Sequence, residues 1–214
     1  MGSGSDIYYG AYCILDNKSG DSGVVVDGNM AVIGAELDWT PQLHVTLRGK
    51  EVPRVVLSRG DKALGFIPEQ QFKRVKACLD AGWTCRAFTS LVIFDKLADR
   101  YLIEVALICY REEDEKTFST FCDLVGDRIA KGEHPSVALS EKELSRVLES
   151  KGTWAQMKPA KLPEIKKGAA LYKTKRTVTE RAALAAAGKN KGCYIALVVV
   201  LVVIIAAVLL LLFK

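Results

Sequence analysis

The stretches TCRAFTSLVIF (84–94) and YLIEVALICY (101–110) are the two longest runs of strand-forming residues in this chain. Both are rich in the aromatic and β-branched side chains that pack well in sheets. Only the short segment 95–100 joins them, and a connection this short favours antiparallel pairing. The two stretches therefore predict a long β-hairpin.

A helix is predicted immediately before this hairpin. Pro68 suits the first helical position, because its missing N–H would have no partner there. Phe72, Val75 and Leu79 then recur at helical spacing, and Gly82 ends the pattern. Short apolar runs nearer the amino terminus predict strands at 24–26, 31–33, 43–47, 52–57 and 63–67. The first two of these flank Asp-Gly-Asn at 27–29 and predict a hairpin of their own.

Two more helices are predicted after the long hairpin. Apolar residues between Phe118 and Ile129 recur on one helical face, and the acidic run 112–115 faces the positive end of that helix dipole. Ser140 and Glu143 have the spacing of a capping box at the start of the second helix. Strands followed by helices indicate an α+β domain. We expect a small antiparallel sheet or an SH3-like barrel with an inserted helix, followed by two helices.

The carboxyl-terminal region carries 21 consecutive apolar residues, 193–213, without a charge. A helix of this length spans about 31 Å, close to the roughly 30 Å hydrocarbon core of a bilayer. The segment therefore predicts one transmembrane helix near the end of the chain, as in tail-anchored proteins. The first 30 residues lack the pattern of a secretory signal peptide.

Charge predicts the orientation of this helix, because Lys and Arg beside a span stay on the cytosolic side. Only Lys214 follows the span, so we expect the amino-terminal domain in the cytosol. The upstream basic residues, which we also expect to contact anionic lipid head groups, are Lys173, Lys175, Arg176, Arg181, Lys189 and Lys191.

Composition agrees with a folded domain attached to an anchor. The chain of 214 residues is 50% hydrophobic with a mean hydropathy of +0.14. Without the span the hydrophobic fraction falls to about 45%, which is ordinary for a globular domain. These values exclude a disordered chain, a collagen-like fibre, a polytopic transporter and a disulfide scaffold. We predict a flexible segment at 1–22, the α+β domain at 23–152, a basic juxtamembrane linker at 153–192 and the transmembrane helix at 193–213.

The linker carries the positive charge of the molecule. Residues 1–157 have 19 basic and 23 acidic side chains, a net charge of −4. Residues 158–191 have ten basic and two acidic side chains, a net charge of +8. A negative domain disfavours phosphate backbones, whereas a basic segment beside a span favours anionic lipid.

No catalytic, cofactor or metal site is predicted. The six cysteines include no Cys-x-x-Cys pair and lack histidines at zinc-finger spacing, so we interpret them as small core residues with reduced thiols. Neither a phosphate-binding loop nor a dinucleotide-binding turn is present. The near-neutral acids or bases are His44, in a predicted strand, and His134, in the loop between the last two helices. We expect both to be structural or exposed.

Residues 43–110 resemble the HIRAN family of small β-barrel domains. The resemblance rests on the strand 52–57, the step ALGFIP at 63–68, the helix ending in Asp-Ala-Gly at 80–82 and the two strands that follow. It implies a barrel topology and binding of single-stranded DNA ends. The chain has RGDKA at 59–63 where the family carries an Asp-Pro-x-Asp/Asn-Ala-Val type of stretch.

Three classes of function follow from these observations. The first is a non-enzymatic interaction or sensing domain that meets an unknown protein partner at the cytosolic membrane face. The second is a HIRAN-like nucleic-acid-binding module, and the third is an enzyme without a recognisable motif. The candidate ligand or nucleic-acid contacts, which as solvated charges also have a purely structural interpretation, are Arg59, Lys62, Lys73, Arg74 and Lys76.

Overall fold

A computed structural model describes residues 3–4, 6–17, 31–45, 51–155, 159–163 and 170–182. Contacts divide the chain into two units, Met1–Arg176 and Thr177–Lys214. The first unit is an α+β domain with several helices, as the order of elements predicts, but it has two antiparallel sheets where one small sheet or an SH3-like barrel was expected.

The larger sheet has five strands in the order β1-β2-β7-β6-β8. Its centre is the predicted long hairpin, in which Thr84 pairs with Tyr110 and Asp95 pairs with Arg100. The bounds of the five strands are β1 Ser3–Gly4, β2 Tyr8–Ile14, β6 Thr84–Asp95, β7 Arg100–Tyr110 and β8 Ala170–Lys173.

The smaller sheet has three strands in the order β3-β4-β5, namely Asp38–Val45, Glu51–Arg59 and Lys62–Phe66. A single bridge joins Phe66 of this sheet to Asp16, and another joins Glu36, two residues before β3, to Phe88 of β6. The predicted strands at 43–47, 52–57 and 63–67 correspond to these three, with shifted bounds for the first.

The α-helices described in the first unit are α1 Glu69–Asp80, α2 Glu115–Ala130 and α3 Glu141–Glu149, and a 3-10 turn at Glu112–Asp114 precedes α2. All three were predicted. The capping box of α3 is confirmed, because the backbone N–H of Ser140 donates to Glu143 Oε2 at 2.7 Å.

Helices cover both faces of the larger sheet. Successive residues of a strand point to opposite faces, so Tyr8 and Tyr9 in β2 face different helices. Tyr8 stacks on Phe118 of α2 with ring centroids 5.3 Å apart. Tyr9 lies on the other face, where Cys78 of α1 influences its pKa. The core therefore has two apolar layers separated by the sheet.

Two sequence predictions are corrected by the strands. Residues 8–14 belong to a central strand and not to a flexible segment, because Tyr8, Tyr9, Ala11 and Cys13 are all buried. Such a strand lacks the polar–apolar alternation of a half-exposed one. The predicted strand at 31–33 is instead a buried irregular segment that leads into a turn.

The basic linker also differs from its prediction. Residues 170–173 form β8, which pairs with residues 92–95 of β6 and belongs to the first unit. Residues 178–182 begin a helix in the second unit, as predicted, with the hydroxyl of Thr177 accepting from the N–H of Glu180. Across the described residues, no helix is long and apolar enough to cross a bilayer. The predicted span 193–213 and the predicted strand 24–26 lie outside those residues.

Candidate functional site

A β-bulge in the larger sheet places Ser90 at the candidate site. Thr89 pairs with Val105 and Leu91 pairs with Glu104, so Ser90 is the extra residue of β6. Bulges re-aim side chains and recur beside functional sites. The Ser90 hydroxyl donates to Glu104 Oε2 at 2.6 Å, and both side chains are buried.

The second partner of Glu104 is His134, from the loop between α2 and α3. His134 Nε2 lies 2.8 Å from Glu104 Oε2, and the two side chains are only 9% and 4% exposed. His134 Nδ1 lies 3.3 Å from the carbonyl oxygen of Ala160. The imidazole therefore bridges the carboxyl group of Glu104 and the backbone of Ala160.

Aromatic stacking and backbone contacts hold His134 in place. The Tyr12 ring stacks on the imidazole with centroids 4.1 Å apart, and the Tyr12 hydroxyl donates to Pro135 O at 2.6 Å. The N–H of Ala160 donates to His134 O at 2.7 Å. Burial, with Glu104 as the next cause, raises the pKa of Tyr12, so its phenol remains a donor at neutral pH.

The same loop approaches the sheet through a glycine. The Tyr8 hydroxyl donates to Val137 O at 2.7 Å, directly over Gly10 of β2. A Cβ on Gly10 would lie 1.9 Å from that carbonyl oxygen. Glycine at this strand position therefore permits the close approach of the loop.

A cavity of about 480 Å³ opens beside this cluster. Volumes of a few hundred cubic ångströms are typical of small-molecule sites. The rim carries an ion pair in which Arg128 Nε donates to Glu133 Oε2 at 2.6 Å. The lining residues are Ser90, Leu91, Arg128, Gly132, Glu133, His134, Pro135, Pro159, Ala160, Leu162 and Thr174.

The order of groups in this cluster determines its chemistry. In a nucleophilic triad the imidazole lies between the hydroxyl and the acid and removes the hydroxyl proton. Here Glu104 lies between, and both Ser90 and His134 contact the same carboxyl oxygen. The hydroxyl is thus hydrogen-bonded to the acid and not to the base, an arrangement that serves packing and recognition better than acyl transfer.

A second cavity of about 310 Å³ lies between α1 and the smaller sheet. Its apolar wall includes Leu43 and Phe72, and Leu43 is 68% exposed. Lys76 lines it and pairs with Asp80 one helical turn away. Lys76 is thus the one predicted ligand contact that lines a described cavity.

The other predicted ligand contacts are distributed over two elements. Arg59 and Lys62 face each other across the β4–β5 turn. Lys73 lies on α1 with its ammonium 3.9 Å from Glu69. Arg74, also on α1, is exposed and influences the pKa values of Tyr9 and Cys78.

Three of the predicted lipid contacts, Lys173, Lys175 and Arg176, lie beside other residues of the first unit. Lys173 Nζ donates to Ala31 O at 3.4 Å, and Arg176 Nε donates to Ile33 O at 2.6 Å. The Lys175 side chain lies beside Gly132. Arg181 is exposed in the second unit, while Lys189 and Lys191 lie outside the described residues.

Sequence reasoning named His134 but missed Ser90 and Glu104. The available signal was a charged residue inside the apolar strand YLIEVALICY and a serine inside TSLVIF. A buried carboxylate requires partners, so Glu104 alone indicated a polar cluster. Among the described residues, no group of three His, Cys, Asp or Glu side chains could hold a metal ion. Comparison of the chain with protein-family models, with curated proteins and with solved structures finds no match.

Proposed function

We propose that this chain is a single-pass membrane protein, anchored through a helix at 193–213, that presents a non-enzymatic interaction or sensing domain to the cytosol. The observation that carries the proposal is the uninterrupted run of 21 apolar residues. Inside a bilayer every backbone polar group must be satisfied within the segment, which a helix achieves. Tethering would raise the effective concentration of the domain for partners at the same surface.

Recognition is favoured over catalysis by the cluster beside the larger cavity. In this cluster the carboxyl group of Glu104 lies between the Ser90 hydroxyl and the His134 imidazole. The Ser90 hydroxyl is therefore not hydrogen-bonded to a base that could activate it as a nucleophile. The cavity combines an apolar wall with a few convergent polar groups, as ligand and peptide sites do. A domain of net charge −4 also suits a protein or neutral partner better than nucleic acid.

The membrane part is tested by extraction of the full chain from cell membranes with alkaline carbonate. We expect the wild-type chain to remain in the pellet, and protease added to sealed cells to leave the domain intact. Replacing Val202 and Val203 by Lys should release the chain, because each central Lys costs about 2.5–3.5 kcal/mol on insertion. The matched control replaces the same two residues by Leu. Release of the wild-type chain, or digestion of its domain from outside, would contradict the proposal.

The recognition part is tested by proximity labelling from the full chain in cells. Leu162 lines the larger cavity and is 47% exposed, whereas Leu97 is 74% exposed in the β6–β7 turn. We expect Leu162→Asp to lose specific neighbours and Leu97→Asp to keep them. Identical labelling for both variants and the wild type would contradict recognition through this cavity.

The HIRAN-like alternative has a separate readout. It predicts salt-dependent binding of single-stranded oligonucleotides by the full chain in detergent, with a weaker salt dependence after substitution of Arg59 and Lys62. Tight binding of this kind would replace the interaction-domain proposal.

A further inference from the structure

Strand β8 places two large apolar side chains next to each other at an edge of the larger sheet. Leu171 is 56% exposed and Tyr172 is 43% exposed. Successive residues of a strand point to opposite faces, and both remain exposed here because β8 is the last strand in the order of this sheet. Single exposed apolar residues are common on protein surfaces, whereas a continuous apolar patch indicates an interaction surface.

Each member of the pair extends an apolar row of the sheet to its edge. Leu171 is opposite Phe94 of β6, which is itself opposite Tyr101 of β7, and the last two rings have centroids 5.0 Å apart. Phe94 and Tyr101 are partly exposed. Tyr172 is opposite Ile93 on the other face of the sheet. The apolar surface at this edge is therefore larger than two side chains.

These residues lie in the stretch of chain that leads toward the predicted span. Among the described residues, four of the six exposed large apolar side chains lie between positions 162 and 178, namely Leu162, Leu171, Tyr172 and Val178. Only the 16 residues 177–192 connect the first unit to the predicted span 193–213. A connection of this length reaches at most about 55 Å when fully extended, so an anchored chain would keep β8 within that distance of the lipid.

The charge around this edge fits anionic lipid. Residues 170–182 carry four basic side chains and one acidic side chain. Lys175 is exposed, while Lys173 and Arg176 donate to the backbone carbonyl oxygens of residues 31 and 33, which fixes both charges beside β8. Anionic lipid attracts nearby Lys and Arg side chains, and tyrosine rings are enriched at the level of the lipid head groups.

The outer edge of β8 is poorly suited to the addition of another strand. The strand has only four residues and ends in Lys173. Short edge strands and lysine side chains are features by which proteins prevent pairing between sheet edges. A partner surface would therefore contact the exposed side chains of β8 and not its backbone.

We propose that the β8 edge docks the domain on anionic lipid of the cytosolic leaflet, with Leu171 and Tyr172 entering the head-group region and Lys175 contacting lipid phosphates. This inference rests on the proposed membrane anchor, and it adds an orientation of the domain that a tether alone leaves free. The docking is reversible, because the apolar area is small and salt screens the attraction between the charges.

The test reconstitutes the full chain in lipid nanodiscs and measures how brominated phosphatidylcholine quenches an indole introduced by Tyr172→Trp. The wild-type chain measures the background of the native tryptophans. Leu43 is 68% exposed on β3 of the smaller sheet, so Leu43→Trp is the matched control. In discs that contain phosphatidylserine, we expect brominated lipid to remove much of the emission added by Tyr172→Trp and to leave that added by Leu43→Trp unchanged.

Further measurements separate the contributions to docking. In the Tyr172→Trp background, Leu171→Ser should reduce the quenching, and Lys175→Gln or high salt should reduce its dependence on phosphatidylserine. Hydrogen–deuterium exchange of the wild-type chain gives a readout without any substitution. We expect the amides of residues 170–176 to exchange more slowly in discs with phosphatidylserine than in discs of phosphatidylcholine alone.

Incorporation into the discs reports the anchor independently of the docking. A chain that does not incorporate would overturn the proposed anchor together with this inference. An incorporated chain whose added indole is quenched no more than that of the control would overturn the docking alone. Slow exchange of residues 170–176 that appears in detergent and increases with protein concentration would assign the edge to a second copy of the chain, and it too would overturn the docking.

Discussion

A single carboxyl group, that of Glu104, ties a strand bulge to the loop between α2 and α3. One of its oxygens accepts from the Ser90 hydroxyl and contacts His134 Nε2. A buried charge or acid without partners is strongly unfavourable, whereas a fully bonded pair is close to neutral overall. The cluster therefore contributes geometry more than net stability, because its two hydrogen-bond contacts connect the loop to the sheet.

Removal of the His134 imidazole should leave the buried carboxyl group of Glu104 without one of its partners and so destabilise the domain. We expect His134→Ala to lower the free energy of unfolding by about 3–5 kcal/mol, because Glu104 loses its buried partner. Chemical denaturation of the full chain in detergent, followed by tryptophan fluorescence, measures the change. The exposed Glu113→Gln is the control, with an expected change within about 0.5 kcal/mol.

The double variant Glu104→Met/His134→Phe tests the explanation. It removes both polar groups and keeps an aromatic ring against Tyr12, so we expect it to be more stable than His134→Ala. A double variant as unstable as the single one would show that the pair itself, and not an orphaned carboxyl group, determines stability.

The sequence could indicate only part of this site. His134 was recognised as a titratable loop residue, and its position between two helices is confirmed. Its partner lies 30 residues earlier in the chain, and the contact depends on a bulge that shifts the register by one residue. Neither a pairing across the fold nor a bulge leaves a periodic signature in one sequence, which explains why Ser90 and Glu104 were missed.

At the level of elements, α3 shows how local sequence signals determine structure. The Ser140 hydroxyl and backbone N–H both donate to Glu143, which fixes the first turn of the helix. Leu144 and Val147 then pack into the core. This helix was predictable because every signal lies within ten residues of sequence. Strand β2 was not, because its burial on both faces depends on two helices that lie far along the chain, α1 from Glu69 and α2 from Glu115.

Loss of the Ser140 cap should measurably lower the stability of the domain. We expect Ser140→Ala to destabilise the domain by about 1 kcal/mol, because the N-terminal turn of α3 loses its capping hydroxyl. Thermal or chemical denaturation of the full chain measures it. Ser145 lies on the same helix with its hydroxyl donating to Glu141 O, and Ser145→Ala should be neutral or slightly stabilising. Equal losses in the two variants would exclude a role for the cap.

For the whole molecule, the buried tyrosines of the two core layers should make the domain less stable at alkaline pH. Burial is the largest cause of the raised pKa values of Tyr8, Tyr12 and Tyr110, and it raises the pKa of Tyr9 to about 12. In the unfolded chain these phenols ionise near pH 10. The folded state therefore binds protons more tightly, so its stability is full below about pH 10 and falls as pH rises toward 12.

Absorbance of tyrosinate at 295 nm and circular dichroism, recorded together between pH 8 and 12.5, measure this effect. We expect the buried tyrosines to ionise together with loss of secondary structure. Tyr9→Phe should weaken the dependence on pH, whereas Tyr172→Phe, which changes a 43% exposed ring, should not. Ionisation of all tyrosines near pH 10 without unfolding would contradict the burial of these rings.

The overall architecture was predictable to the level of an α+β domain with a helix between strands and two helices afterwards. Hydrophobic periodicity and capping residues determine each of these elements locally. The division into a five-stranded and a three-stranded sheet was not predictable, because strand order depends on contacts between distant segments. The same reason applies to β8. Its residues have the composition of a basic linker, and they form a strand only by pairing with the distant strand β6.

Strand β8 also determines how the first unit would respond to mechanical load. It is the last strand before Thr177, so tension applied from the carboxyl side reaches its four residue pairs with β6 before any interior strand. The hydrogen bonds from Arg176 to Ile33 O and from Lys173 to Ala31 O are loaded first, after which β8 separates from β6 pair by pair while the hairpin β6–β7 remains closed. Strand β8 would therefore detach before the interior strands under tension and would pair again with β6 when the tension ends.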